Sequence, residues 1–273
     1  MLTLLPALLG AAPAAAAPAL QDEIARVLQT CSAAKYPLPA ITAEQRAELD
    51  RSEVVRIVHH ADDPEAPSTA VGIALLEADR NALWIAAQDP HAQVDPSLTE
   101  FVVEWLGVDD ALWYGYLDLP RPIRDRQWVV SSGNNHPLAR KTGDLCWEHK
   151  WTLVSDGLPR ARAMVADGGI GGLTVEQLDS AVYTPVNRGA WLMAPLSDGR
   201  TLVAYQATSV VGGAIPDWLV LQLTMSRLQS VLDDLEARAQ HWSPSHYTAA
   251  HAAVPGGAGE PIPRFGGAAA AAP

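Results

Sequence analysis

Residues 116–135 read YLDLPRPIRDRQWVVSSGNN. Pro120 and Pro122 flank Arg121, and Asp125-Arg126 stands directly before Gln127-Trp128-Val129-Val130. A proline fixes φ and has no N–H to give. Two so close together therefore make a corner and cannot sit in a central strand. The run behind them, 127–132, is aromatic and β-branched, which predicts a strand. In an extended chain Asp125 and Arg126 point to opposite faces. Beside a buried strand, charged side chains serve mainly as ties to backbone groups or to an opposite charge. Direct contact with a ligand is the alternative reading.

Working outward, the same β-like text continues on both sides. Candidate strands lie at 99–106, 112–119, 145–154, 160–166, 178–184, 190–195 and 201–211. Short turns separate them, a spacing that predicts an antiparallel sheet and not βαβ units. Further upstream, helices are predicted at 21–34, 44–49 and 79–88, and strands at 54–59 and 69–76. The segment 36–40 carries two prolines and reads as extended, and Asp89-Pro90 ends the third helix. Downstream, 216–240 reads as one long amphipathic helix carrying Leu219, Leu223, Leu228, Val231, Leu232 and Leu235. Such a helix must lay its apolar face on the sheet, and space left between the two would be an apolar pocket.

The chain has 273 residues, 48% of them hydrophobic, enough for a sizeable core. Its 19 basic and 31 acidic residues give a net charge of −12, which disfavours nucleic acid and anionic membranes as partners. At most a transient membrane contact is expected, and the protein is read as a monomer. Residues 1–19, MLTLLPALLGAAPAAAAPA, resemble a secretory signal peptide, but the positive n-region is missing because the first basic residue is Arg26. A disordered Ala/Pro leader is the alternative. The expectation is export, with a cytoplasmic location if the leader is no signal. The two cysteines, Cys31 and Cys146, could pair in an oxidising compartment or stay as two buried thiols. From Val254 onward Pro, Gly and Ala dominate, so the division is a leader at 1–20, one domain at 21–243 and a disordered tail at 244–273.

With these elements in order, the segment Pro120–Val130 resembles the START lipid-transfer domain, a branch of the helix-grip, Bet v 1-like superfamily. Members carry a Pro-x-Pro-x-x-Asp-Arg segment leading into a strand, matched here by Pro120, Pro122, Asp125 and Arg126. A second match is GGAIPDWLV at 212–220, where Gly212, Gly213 and Pro216 lead into the last helix. Between them, 191–205 resembles the paired strands with an Asp-Gly turn that precede that helix. The resemblance covers 53–242. It implies an α+β helix-grip fold, a curved antiparallel sheet wrapped around the C-terminal helix, and an internal hydrophobic cavity. It further implies one apolar ligand, lipid or sterol-like, with no metal and no organic cofactor.

Trp113, Trp147, Trp151, Tyr183, Trp191 and Tyr205 fall on the candidate strands, and Trp218, Leu219 and Gln222 recur on the last helix. These are the candidate ligand-binding residues, each of which could equally be plain core. Arg56, Glu148 and Arg162 are strand-borne charges that could hold a polar head. His59-His60 and Asp89-x-His91 lack a recognised metal spacing. The glycine-rich 167–174 lacks the Lys-Ser/Thr of a phosphate loop and reads as a flexible loop between strands, near the pocket mouth. No Gly-x-Ser-x-Gly occurs, so no catalytic residue is assigned. A hydrophobic-ligand carrier is the reading. A polyketide cyclase-like enzyme using His149, Tyr183 or Tyr205, and an interaction domain with a filled core, are the alternatives.

Overall fold

Ile24, Val27 and Cys31 recur at helical spacing and bury one stripe of α1 (Leu20–Thr30), which runs on into a 3-10 turn at Cys31–Ala33. The computed structural model describes residues 20–63, 65–89, 97–155, 157–213, 215–240 and 255–262. Thr42 and Gln45 form a capping box that starts α2 (Ala43–Asp50). Then come β1 (Val55–His59), β2 (Thr69–Leu76) and α3 (Arg80–Gln88), which Asp79 caps by accepting the Asn81 N–H. The chain continues through β3 (Leu98–Trp105), β4 (Ala111–Leu117), β5 (Arg126–Asn134), α4 (His136–Lys141) and β6 (Trp147–Leu153). It ends with α5 (Leu158–Ala166), α6 (Val175–Ser180), β7 (Val182–Tyr183), β8 (Val186–Pro195), β9 (Thr201–Val210) and α7 (Asp217–Gln240).

Among the described residues, eight strands form one sheet in the order β1-β2-β9-β8-β6-β5-β4-β3, and a ninth, β7, pairs with β5 off this path. The sheet is antiparallel except for the short β7, which runs parallel beside β5. Strand alternation divides the side chains between two faces. One face, the grip face, carries Gly72, Ala74, Val203, Tyr205, Trp191, Met193, His149 and Trp151, and receives α3 and α7. The other, the back face, carries Val71, Ile73, Leu192, Ala204 and Cys146 under α1 and α2, and Tyr114, Tyr116 and Val129 under α5 and α6. Cys31 and Cys146 are joined by a disulfide with a Cα–Cα distance of 5.7 Å, which pins the end of α1 to the start of β6.

Four sequence expectations need correction. Residues 160–166 belong to helix α5, where Pro159 sits in the first turn and Ala161 and Val165 bury one stripe. Residues 178–184 divide into the end of α6, opened by a Thr174/Gln177 capping box, and the two-residue strand β7. The glycine-rich loop therefore joins two helices, and its Ile170 and Leu173 pack on the back face, away from α7. The disordered tail fails over Pro255–Ile262, a stretch that docks on the domain and buries Ile262. The leader and the rest of the tail lie outside the described residues, as do Pro90 and His91. No helix of the described residues is long and apolar enough to cross a membrane.

Candidate ligand site

The proline corner holds the site together. The Arg121–Pro122 peptide is cis. Asp125 accepts the Tyr116 hydroxyl at 2.5 Å and the Leu119 N–H at 3.0 Å, closing the corner onto β4. Arg126 is buried. It donates through Nε to the Val211 carbonyl at 2.7 Å and through Nη2 to the Gly212 carbonyl at 3.0 Å, and a further bond reaches the Arg124 carbonyl. Gly212 and Gly213 have φ of 67° and 72°, a left-handed turn that side chains resist, and a Cβ on Gly213 would meet Arg126 Nη2 at 3.2 Å. The corner thus fixes the turn from which α7 departs, and Pro216 accepts the Leu219 N–H in its first turn.

Under that first part of α7 lies a cavity of about 270 Å³. Ala70 of β2 and Ala207 of β9 face each other across the ladder and form its floor. Val220, Leu221 and Thr224 of α7 form its roof, with Trp218 and Asp217 at the rim. His60 and Ser68 close one side, their side chains bonded to each other at 2.8 Å. Gly72, next on the same strand face, meets α7 more closely: a Cβ there would lie 3.3 Å from Leu228. The two alanines leave room where larger residues would fill it.

Beside the cavity stands an aromatic wall. Tyr205 packs on Trp191 with ring centroids 4.5 Å apart and stacks on Trp151 at 5.8 Å. The Trp151 indole lies over Gly189, where a Cβ would come within 2.4 Å of the ring, and its Nε1–H donates to Asn187 at 3.0 Å. Burial pushes the Tyr205 hydroxyl up to about 12; the Glu100 carboxylate adds to this and Arg227 opposes it. Trp113 and Trp128 share the grip face further out, half-buried, with the Trp128 ring lying against Gly115.

Other candidates go elsewhere. Tyr183 sits with the back-face cluster and accepts the Val129 N–H at 3.0 Å while donating to the Val154 carbonyl at 2.5 Å. Trp147 packs with Trp84 at 5.2 Å and does not line the cavity. Gln222 is exposed and Leu219 half-buried, so the phase of α7 that meets the cavity is Val220, Leu221 and Thr224 instead. Glu148 is on the back face, fully buried, accepting the Lys35 and Tyr36 N–H groups and the Asn135 amide. Arg162 lies on α5 and pairs with Asp179, while Arg56 donates to Gln229 of α7 at 3.2 Å. The sequence reading missed His60 and Ser68 as rim residues and the Ala70/Ala207 floor. The faint signal was a pair of small residues at matching register in two otherwise bulky strands.

One polar ladder crosses the grip face. His149 shares a 2.7 Å hydrogen bond from Nδ1 with Asn134 Oδ1, and burial pushes its ring down to about 3, so it is neutral. An amide oxygen only accepts, so Nδ1 of His149 carries the proton. Nearby, burial pushes the Asp109 carboxyl up, and His136 opposes that shift. Among the described residues, no three His, Cys, Asp or Glu side chains gather where they could hold a metal ion.

No family model matches the chain. It is 26% identical over 131 residues to an uncharacterized protein of Pseudomonas aeruginosa, a match covering 48% of this chain. The chain spans about half, 54%, of the length of that relative. Among solved structures, human STARD10 superposes with a TM-score of 0.52 at 11% identity, over 77% of this chain and 83% of that one. The STAR-related lipid transfer protein from Xanthomonas axonopodis superposes with a TM-score of 0.52 at 19% identity, over 69% and 94%. The open antiparallel sheet gripping one long C-terminal helix is common to all three, and this chain has the helix-grip fold of the START domains.

Proposed function

We propose that the protein binds and carries a hydrophobic, lipid-like small molecule between the first half of α7 and the grip face. The half-open cavity over Ala70 and Ala207 carries this reading, because there the fold leaves apolar space under its helix. At about 270 Å³ it lies just below the usual range for small-molecule sites, roughly 300–1,000 Å³. A larger ligand needs the first turns of α7 to lift. Of the fully buried residues of α7, Val220 alone precedes Leu228; Leu228, Leu232, Leu235 and Ala239 anchor the second half. Trp151, Trp191 and Tyr205 would then supply the wall, with Glu100 and Arg227 near the Tyr205 hydroxyl orienting a polar head. The names of the two solved relatives, a STAR-related lipid transfer protein among them, support the same class of ligand. The Cys31–Cys146 disulfide supports export to an oxidising compartment.

The test is native mass spectrometry of the protein from its own host, followed by titration with sterol, fatty acid and phospholipid. A bound apolar species, or binding of one class on the panel, is expected. Ala207→Phe should fill the floor and weaken that binding at least tenfold with an unchanged circular dichroism spectrum. A protein that comes empty and binds nothing on the panel overturns the reading, as does an Ala207→Phe variant that binds like the wild type.

A further inference from the structure

Beyond residues 241–254, the segment Pro255-Gly-Gly-Ala-Gly-Glu-Pro-Ile262 returns to the domain. It folds into a tight loop. Gly256 N–H donates to the Glu260 carbonyl at 2.7 Å, Gly259 N–H donates to the Gly256 carbonyl at 3.0 Å, and Pro255 bridges Pro261. The side-chain donors of the domain all reach main-chain carbonyls of this loop. Trp84 of α3 donates Nε1–H to the Pro255 carbonyl at 3.0 Å. His136 of α4 bonds through Nδ1 to the Gly257 carbonyl at 2.8 Å, and Arg140 donates to the Ala258 carbonyl at 3.3 Å.

Donors aimed at carbonyls read the path of a chain but not its sequence. Sequence is read here by exclusion. A Cβ on Gly256 would lie 2.9 Å from the Trp147 ring, and one on Gly257 would lie 2.2 Å from it. Two consecutive positions therefore accept glycine alone. Ile262, five positions after Gly257, is buried beside Trp84 and Trp147 as an apolar anchor.

The receiving surface is also held in shape by bonds that owe nothing to the segment. Trp147 donates Nε1–H to Asp144 at 2.6 Å, and the Arg80 guanidinium lies 3.6 Å from its ring centre. Arg80 pairs in turn with Asp144 at 3.1 Å. His136 Nε2 is held by Asp109 at 2.7 Å, and the Trp84 and Trp147 rings meet edge to face. Preformed walls, donors converging on carbonyls, two steric filters and an apolar anchor together make a peptide-recognition site.

We propose that α3, α4 and Trp147 form a peptide-binding groove selective for Pro-Gly-Gly segments with a branched aliphatic residue five positions after the second glycine, and that the chain's own residues 255–262 are its tethered, displaceable occupant. Because the segment belongs to the same chain, its binding is intramolecular, so free peptide competes only when the tethered copy is disabled. Occupied, the groove seals the end of the grip face that carries Trp84 and Trp147.

The experiment uses the full chain carrying Gly257→Val and a fluorescently labelled peptide of residues 255–262 with native sequence. By anisotropy the peptide should bind the variant at least 100-fold more tightly than it binds the wild type. The same peptide carrying the valine should not bind. Equal binding to both proteins, or no binding to a folded variant, overturns the proposal. Amide exchange of the wild-type chain gives a second test that needs no variant. The Gly256 and Gly259 amides should exchange at least tenfold more slowly than in the free peptide, yet faster than the amides pairing β8 with β9. Exchange as fast as free peptide means the groove is not occupied, and exchange as slow as β8–β9 means the segment is fixed core. Either result overturns the idea of a displaceable occupant.

Discussion

The grip face is finished differently at its two ends. Where α3, α4 and residues 255–262 meet, Trp84 is fully buried, Trp147 is wedged under Arg80 and two glycines, and Ile262 plugs the gap. At the other end, under the start of α7, two alanines face each other and a cavity stays open. The apolar residues there turn outward instead: Trp218 is 66% exposed and Leu223 55%. The same sheet face thus builds a tightly packed core from large aromatics at one end and leaves open space from missing side chains at the other. Packing density, not strand pairing, separates the two.

The contrast can be broken by unfolding measurements. Trp84→Ala removes a buried indole and its bond to the Pro255 carbonyl, and should cost about 3–5 kcal/mol in urea. Replacing Cys31 and Cys146 together by Ser opens a cross-link spanning 115 residues on the back face, directly behind the Trp147 end. Loss of about 2–4 kcal/mol is expected. A cost below about 1 kcal/mol for either variant would mean that the aromatic end is not the stable one.

The pH profile sharpens the same point. His149 titrates at about 3 in the folded chain against 6.5 for a free histidine. Between those values the unfolded chain binds a proton that the folded chain refuses, so stability falls as pH drops. The slope is about 1.4 kcal/mol per pH unit, or about 2 kcal/mol by pH 5. His149→Gln keeps a donor for Asn134 and should flatten this part of the curve, as read by urea midpoints at pH 7 and pH 5. The smallest effect belongs to the open end. Trp218→Ala should change stability by less than about 0.5 kcal/mol while altering ligand uptake, measured by stopped-flow with a fluorescent fatty acid.

Much of this was legible in the residues, and what was not has physical reasons. The strand at 69–76 and helix 79–88 appear as β2 and α3 within one residue, because their apolar periods and the Asp79 cap agree. The corner was legible through its two prolines. Helix α5 was misread because Arg160–Ala166 alternates charged and apolar residues at first sight, although Ala161 and Val165 recur at helical spacing. The phase of α7 was not legible, since Trp218, Leu219, Val220, Leu221 and Leu223 make its beginning apolar all round. Only the sheet beneath decides which of them turns inward. The docked tail was hidden for the opposite reason. Its glycines look like a mark of disorder, yet the absence of side chains is what lets the main chain lie against Trp147.

Gly72 has a mechanical consequence. It lets Leu228 rest directly on the sheet, and from there to Gln240 the helix is anchored by Leu232, Leu235 and Ala239. The contact is a fulcrum. The eleven residues before it form a lever arm of about 16 Å at 1.5 Å per residue. A tilt of roughly 20° about that point carries the helix tip through roughly 6 Å while the anchored arm stays seated. Under the proposed function, the volume offered to a ligand would be set by an angle at one glycine, and not by any remodelling of the sheet.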